Sequence, residues 1–212
     1  MSTRYDPGMI KVLGRPTSIN VRKVLWTATE TGLAFTHEAE WGAERPLSDP
    51  AFLALNPNGL IPVLIGDDGV LWESNAICRY LAGVAGREDL LPTTPFARAD
   101  VERWMDWQAG ELNSAWRPAF MALVRGQPAD ADTVARSVAE WNAKMLILER
   151  HLEDGRPYVS GDGFTLADIV LGLSLQRWRL SPIERPQAPA LATYGERIFA
   201  RPGFLATGPG TV

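Results

Sequence analysis

The segment between Asn56 and Ala82, NPNGLIPVLIGDDGVLWESNAICRYLA, constrains the fold of this chain more than any other. Residues 60–65 are mainly apolar and predict a strand, the Gly-Asp-Asp-Gly cluster at 66–69 predicts a turn, and residues 70–73 predict an antiparallel partner. Apolar residues at helical spacing follow from Ser74 and end near Gly86. A hairpin that leads directly into a helix therefore predicts an α/β unit.

The same segment carries side chains that suit a small zwitterionic or peptide-like ligand. Pro62 removes one hydrogen-bond donor at the start of a strand, and in the cis form it would leave the backbone of Ile61 open to a bound peptide. Glu73 offers a carboxylate for an ammonium group, and Ser74 offers a hydroxyl beside free helix N–H groups for a carboxylate. The alternative is that Ser74 is an ordinary helix N-cap.

A second candidate site precedes the first predicted helix. Residues 9–13 predict a strand, residues 14–16 break it, and Thr17, Ser18 and Asn20 can each cap the helix that follows. The N-terminus of a helix favours negative charge, so a hydroxyl there could stabilise a thiolate by donating a hydrogen bond to sulfur. The alternative is that Ser18 or Thr17 only caps the helix.

The pattern NP.G.IP.L, followed by the Glu-Ser dipeptide, resembles the glutathione-binding half of the glutathione S-transferase superfamily. The resemblance implies an α/β thioredoxin-like N-terminal domain with a cis-proline, followed by an all-α C-terminal helical domain. We place these domains at 8–86 and 93–206, with the polar, Pro-bearing segment near 86–92 between them.

The resemblance also implies roles for individual residues. The backbone of Ile61, next to Pro62, would pair with the cysteinyl part of glutathione, while Glu73 and Ser74 would bind its γ-glutamyl end. The glycine carboxylate would be met by Asn58 or by a basic residue in the loop between Trp41 and Arg45, since Gly59 and Leu60 replace the polar residues that many relatives have there.

The segment from Ser18 to Val24 is similar to the serine-type theta and delta-like transferases, which places Ser18 at their catalytic position. Asn20 stands where the nu-like bacterial class has an asparagine that holds glutathione or its disulfide, and it is the second catalytic candidate. The tyrosine-type classes fit poorly because Tyr5 precedes the strand. The Ser-Ser-Cys loop of the zeta-type isomerases is absent from this sequence.

The second half of the chain reads as helical throughout. Helices are predicted at 131–152, 166–179 and 190–200, and a kinked helix or two helices from 95 onward with an interruption at Pro118. Thr165 and Asp168 form a Thr-x-x-Asp capping box, to which we assign a folding role. Trp104 and Trp116 are candidates for a second-substrate pocket, although core packing explains tryptophans equally well.

Composition and charge narrow the expected partners, location and metal sites of the protein. The formal charge of −4 without a lysine or arginine cluster argues against a nucleic-acid surface. No long apolar run or secretory signal is visible, so we expect a cytoplasmic protein without a membrane span. The lone cysteine, Cys78, is expected in the core, and together with the histidines His37 and His151 it suggests no metal site.

The leading hypothesis is a homodimeric glutathione transferase that takes glutathione as co-substrate and activates its thiol for attack on a small hydrophobic electrophile. A nu-like reductase of disulfides or peroxides is the alternative that Asn20 motivates. A third hypothesis, of a different class, is a non-catalytic interaction protein that has kept the glutathione-binding fold.

Overall fold

The computed structural model describes residues 8–208, which divide into two compact units. The first unit comprises the chain up to Thr93 together with the segment that begins at Ala200, and the second runs from Thr94 to Phe199. The first is an α/β unit and the second is helical, so the predicted fold class is confirmed.

The first unit is built on a mixed four-stranded sheet with the order β2-β1-β3-β4. Strands β1 and β2 are parallel, while β3 pairs antiparallel with both β1 and β4. Three helices, α1 to α3, lie between or after the strands in the chain, and the apolar residues of α1 pack against α3. The elements are β1 (Ile10–Leu13), α1 (Ile19–Thr31), β2 (Phe35–Glu38), α2 (Pro50–Leu53), β3 (Val63–Gly66), β4 (Gly69–Trp72) and α3 (Ser74–Val84).

The predicted hairpin is present, but each of its strands is displaced from the predicted bounds. Strand β3 begins at Val63 rather than at residue 60, since Pro62 has no N–H to donate to a neighbouring strand. Strand β4 ends at Trp72, because Glu73 takes a φ of 73°, which lies outside the extended conformation. With these bounds, Ile61 and Pro62 lie just before β3 and Glu73 lies just after β4.

A short C-terminal helix, α9 (Pro202–Ala206), belongs to the first unit and packs on α1. The ring of Phe204 meets that of Trp26 edge-on at 5.3 Å, and Arg201 Nη2 lies 2.7 Å from Glu30 Oε2. A side chain at Gly203 would come within 2.4 Å of Trp26 Cδ1. The compact helical unit therefore ends before the predicted limit of 206, because these contacts hold the last described residues against α1.

The second unit places one buried helix among the others. Helix α7 is buried along nearly its whole length, so it forms the centre of this unit. A π-helical segment, Gln108–Leu112, joins α4 to α5 without a break. The predicted capping box at Thr165 and Asp168 is confirmed. The helices are α4 (Pro95–Trp107), α5 (Asn113–Leu123), α6 (Ala131–Leu152), α7 (Leu166–Leu180) and α8 (Pro189–Phe199).

An interruption was predicted at Pro118, but the helix continues through it. Ser137 of α6 supplies hydrogen bonds to the backbone on both sides of the proline. Pro118 lies inside α5. The hydroxyl of Ser137 accepts a hydrogen bond from Ala119 N at 3.0 Å and donates one to Ala115 O at 2.6 Å. These two backbone groups would pair with each other in a regular α-helix, so the hydroxyl stands within the helical hydrogen-bond ladder.

Replacing Ser137 by alanine should therefore lower the free energy of unfolding by about 1–3 kcal/mol, because two buried backbone groups lose a partner. Chemical denaturation measures this effect. Ser114→Ala is the matched control, since Ser114 is exposed and its hydroxyl donates only to Gly110 O, four residues earlier in the chain. Equal effects of the two substitutions would contradict the bridging role of Ser137.

Candidate active site

A cleft on the first unit brings the predicted ligand-binding residues together. Its volume of about 50 Å³ is small beside the roughly 300–1,000 Å³ of pockets that enclose a ligand. It can therefore hold only one part of a peptide, and the rest would lie along the open surface. The lining residues are Asn20, Asn56, Asn58, Leu60, Ile61, Pro62, Glu73 and Ser74.

The turn that carries Ile61 is fixed by Asn56, a residue for which the sequence predicted no role. The Asn56 side chain is 2% exposed, and its Nδ2 donates to Leu60 O at 2.7 Å. Its Oδ1 accepts from Asn58 N at 3.1 Å and from Asn58 Nδ2 at 2.9 Å. The Ile61–Pro62 peptide bond is cis, as the resemblance implied. The Asn-Pro-Asn-Gly sequence was the available signal, because Asn side chains often bond to the backbone of turns.

Glu73 and Ser74 lie where β4 ends and α3 begins. Among the described residues, Glu73 is the one non-glycine residue with positive φ. Backbone conformations of this kind cost about 1–3 kcal/mol and concentrate at ligand sites. The N-cap is Glu73 and its side chain makes no capping hydrogen bond, which leaves the exposed carboxylate available to a ligand. Ser74 is the first residue of the helix, so the alternative reading of Ser74 as the N-cap is wrong.

Ser18 is the N-cap of α1 by backbone conformation, with φ −82° and ψ 124°, but its side chain makes no capping hydrogen bond. The half-buried hydroxyl is therefore not committed to the helix, in contrast to the alternative that it serves only as a cap. Ser18 does not line the cleft, whereas Asn20 does. The two catalytic candidates therefore differ in position, since Asn20 borders the cleft and Ser18 does not. Which of them contacts the glutathione sulfur stays a prediction.

Two arginines lie near Gly42, which is itself close to Ile61 of the cleft. Arg15 Nη1 donates to Gly42 O. A side chain at Gly42 would come within 3.2 Å of Arg15 Nη1 and within 3.3 Å of Ile61 Cδ1, so Gly42 lies between these two residues. The Arg45 guanidinium stacks on the ring of Trp41 at 3.5 Å. A basic residue was predicted in the loop that contains Arg45, whereas Arg15 was not predicted.

Neither tryptophan named as a second-substrate candidate lines the cleft, and both are packed within the second unit. Trp104 is 8% exposed and its ring lies 4.7 Å from that of His151. It also borders an apolar pocket of about 260 Å³ with Trp107. Trp116 is 7% exposed, and the Arg177 guanidinium lies 4.4 Å from its ring. Both therefore have a structural role, and contact with a substrate stays a prediction.

Cys78 lies in the core of the first unit, as predicted, with no exposed surface. Burial raises the pKa of its thiol to about 11, although a hydrogen bond with Thr27 and the charges of Lys23 and Arg79 oppose the shift. A thiol with this pKa is protonated at neutral pH and unsuited to nucleophilic attack.

No helix in the described part of the chain is long and apolar enough to cross a membrane.

Comparisons with known proteins agree with this arrangement. Residues 17–84 match the family model "Glutathione S-transferase, N-terminal domain", and residues 131–197 match "Glutathione S-transferase, C-terminal domain". Glutathione S-transferase GstB of Escherichia coli strain K12 is 39% identical over 201 residues, which cover 84% of this chain and 95% of that protein. Glutathione S-transferase 3 of Zea mays is 38% identical, and the match covers 93% of this chain and 92% of that protein.

A solved structure extends the comparison to three dimensions. The theta class glutathione S-transferase of Xanthomonas axonopodis pv. citri, crystallised with glutathione bound, superposes with a TM-score of 0.87. It is 38% identical and the match covers 93% of this chain and 96% of that one. An α/β unit with a cleft beside a cis-proline, followed by a helical unit, defines the cytosolic transferase class. This chain belongs to the glutathione S-transferase family, and the predicted glutathione transferase activity is confirmed.

Proposed function

We propose that the cleft of the first unit binds glutathione in one direction and that Ser18 activates its thiol. The γ-glutamyl end lies at Glu73 and Ser74, the cysteinyl backbone pairs with Ile61, and the glycine end points toward Arg15. The thiolate sulfur then forms a bond to an electrophilic carbon, whose leaving group departs with the electron pair of the broken bond. The observation that supports this most strongly is that one cleft collects Asn20, Asn58, Ile61, Pro62, Glu73 and Ser74.

The γ-glutamyl end has an ammonium and a carboxylate on one carbon, and the two ends of the β4–α3 junction match these charges. The free carboxylate of Glu73 suits the ammonium group. The N-terminus of α3, with the Ser74 hydroxyl beside it, suits the carboxylate, because the first N–H groups of a helix have no partner within the helix. Since α3 has 11 residues, its macrodipole also favours an anion there.

Thiol activation needs a donor that stabilises the thiolate. A free thiol has a pKa of about 8.5 and is mostly protonated at neutral pH. Ser18 presents an uncommitted hydroxyl at the N-terminal end of α1, where the helix dipole also favours negative charge. A hydrogen bond from this hydroxyl to sulfur would lower the thiol pKa, and the released proton would pass to solvent.

The glycine carboxylate requires a cation or an amide donor beyond Ile61. Arg15 uses Nη1 for the carbonyl of Gly42 and has no carboxylate partner among the described residues, so guanidinium donors remain for a ligand. Arg45 is less available, since it stacks on Trp41 and lies 3.9 Å from Glu40. Asn58 is bonded to Asn56. Arg15 is therefore the preferred partner.

Substituting Arg15 should weaken glutathione binding selectively. Arg15→Leu is expected to raise the dissociation constant about tenfold, because a hydrogen-bonded charge contributes roughly 1.5 kcal/mol. Glutathione amidated at its glycine carboxylate should bind both proteins equally. Isothermal titration calorimetry measures both ligands, with Arg45→Leu as the matched control. An equal loss for the two ligands would contradict a contact between Arg15 and the glycine carboxylate.

A second candidate reaction is supported by the position of Asn20 in the cleft. In a disulfide reductase, the glutathione thiolate attacks one sulfur of a disulfide, forms a mixed disulfide and releases the other sulfur as a thiolate. The thiolate of a second glutathione then attacks the glutathione sulfur of the mixed disulfide, which releases the remaining thiol and joins the two glutathiones as glutathione disulfide. Asn20 lines the cleft while Ser18 does not, which favours a role for Asn20 in holding glutathione or its disulfide.

The second substrate is a small hydrophobic electrophile, with Trp104 and Trp116 as candidate contacts, and the protein works as a cytoplasmic homodimer. Sedimentation equilibrium tests the dimer. Conjugation of glutathione to chlorodinitrobenzene, compared with reduction of hydroxyethyl disulfide by glutathione, separates the two reactions.

A further inference from the structure

A cavity of about 370 Å³ lies within the second unit, between the C-terminal end of α6 and the helix α8. Its volume falls in the range of about 300–1,000 Å³ that is usual for ligand pockets. All of its lining residues belong to the second unit, and none lines the cleft of the first. They include Glu149, Leu152, Glu153, Arg156, Tyr194 and Arg197.

The cavity has a rigid apolar floor. Leu152 is 3% exposed and Tyr194 is 1% exposed, so both side chains are fixed in the core of the unit. The Tyr194 hydroxyl donates to Asp168 Oδ1 at 3.0 Å, which fixes the ring at the base of the floor. Pro189 and Ala190 add further apolar atoms. This floor suits an apolar body of modest size.

Two of the charged side chains in the wall are already committed to protein groups. Glu149 is 4% exposed, and its Oε1 and Oε2 accept from the backbone N–H groups of Ala190 at 3.0 Å and Leu191 at 2.7 Å. The Arg156 guanidinium is held by the carboxylate of Asp154, with Nη2 2.6 Å from Oδ2. Neither group has its charge available for a ligand, and both hold the walls in place.

The other two charges are not neutralised. Glu153, on the α6 side, is exposed and has no hydrogen-bond or ion-pair partner among the described residues. Arg197, on the α8 side, donates Nη1 to Pro157 O at 2.8 Å and has no carboxylate partner in the described part of the chain. These opposite charges border the same cavity without pairing with each other. The cavity thus presents an anionic group and a cationic group across an apolar floor.

We propose that this cavity binds a small zwitterion of the amino-acid class that has an apolar side chain. Its ammonium group meets Glu153, its carboxylate meets Arg197, and its side chain lies against Pro189 and Ala190, above the buried Leu152 and Tyr194. A ligand with a single charge would leave one of the two protein charges without a partner. The site is separate from the glutathione cleft and does not depend on the reaction proposed for it.

The probes are L-phenylalanine and two derivatives that each lack one charge, N-acetyl-L-phenylalanine without the ammonium group and L-phenylalaninamide without the carboxylate. Binding to the full chain is followed by a ligand-observed NMR titration at neutral pH. We expect saturable binding of L-phenylalanine with a dissociation constant of about 1 mM, which is ordinary for a ligand of this size. Each derivative should bind about tenfold more weakly, since each loses one charged contact.

Two variants assign the contacts. Arg197→Gln should weaken L-phenylalanine about tenfold and leave L-phenylalaninamide unchanged, whereas Glu153→Gln should weaken L-phenylalanine and leave N-acetyl-L-phenylalanine unchanged. The double variant Glu153→Arg with Arg197→Glu should restore binding, because the two charges are exchanged between the walls. Both residues are exposed, so these variants are expected to fold.

Either no saturable binding of L-phenylalanine or binding that both single variants leave unchanged would exclude the site. Loss of L-phenylalanine binding in Glu73→Gln, with no effect of Arg197→Gln, would place the ligand in the glutathione cleft and would equally overturn it. Glutathione conjugation by Arg197→Gln should match that of the wild type in every case, which keeps this test separate from that of the proposed function.

Discussion

Replacing Ser18 with alanine is expected to raise the pKa of bound glutathione by about 1–2 units and to lower kcat/KM at neutral pH by roughly 10–100-fold. A hydrogen bond to a charged group contributes about 1.5–3 kcal/mol, and one pKa unit corresponds to 1.36 kcal/mol. The variant should keep its glutathione affinity at high pH, where the thiol ionises without help. Thiolate absorbance in the ultraviolet, followed from pH 5 to pH 9 in the presence of glutathione, measures the shift.

Thr17→Val is the matched control for this experiment, because Thr17 is an exposed hydroxyl residue beside Ser18. It should leave the thiolate titration unchanged. If Asn20→Ala shifts the titration while Ser18→Ala does not, the activating residue is Asn20 and the role proposed for Ser18 is wrong. If glutathione binds without any thiolate forming in the wild type, the proposed activation of its thiol is wrong.

Replacing Asp168 with alanine is expected to lower the free energy of unfolding by about 3–5 kcal/mol at pH 7. Asp168 is fully buried and accepts hydrogen bonds from Thr165 N at 2.8 Å and from Val159 N at 2.9 Å, as well as from the Tyr194 hydroxyl. Alanine would leave these buried donors without an acceptor, at about 1–3 kcal/mol each before relaxation. Urea denaturation gives the value.

The matched control is Asp162→Ala, which removes an exposed carboxylate from the same connection between α6 and α7 and should change stability by less than about 0.5 kcal/mol. Tyr194→Phe removes one of the donors and should cost less than Asp168→Ala. If Asp168→Ala costs no more than the control, Asp168 does not hold the chain ahead of α7 in place.

The same carboxyl group should make stability depend on pH. Burial raises the pKa of Asp168 to about 6 from an ordinary 3.8, against the opposing hydrogen bonds from Val159, Thr165 and Tyr194. The folded state then holds this proton more tightly than the unfolded chain does. The free energy of unfolding therefore falls as pH rises from about 4 to about 6, by up to roughly 3 kcal/mol from this group. Asp168→Asn should flatten that part of the profile.

The candidate site was predictable where its residues are close in sequence. Glu73 and Ser74 follow the hairpin directly, and the turn at Ile61 and Pro62 precedes it, so local patterns placed them on neighbouring elements. Arg15 was missed because its proximity to Ile61 depends on the pairing of β1 with β3, which joins distant parts of the chain. Asn56 was missed because its bonds to Leu60 and Asn58 belong to a particular turn geometry.

The sequence by itself determined most of the elements, though not β2, α2 or α9, and the capping box at Thr165 and Asp168, because helical period, turn residues and caps act over a few neighbouring positions. It also predicted α6 with the observed bounds. Only the tertiary structure decided that α9 packs on α1 through Trp26 and Phe204, and that Ser137 completes the helix around Pro118. Such contacts join residues far apart in sequence, and their energies depend on close packing and exact distances, which no local pattern encodes.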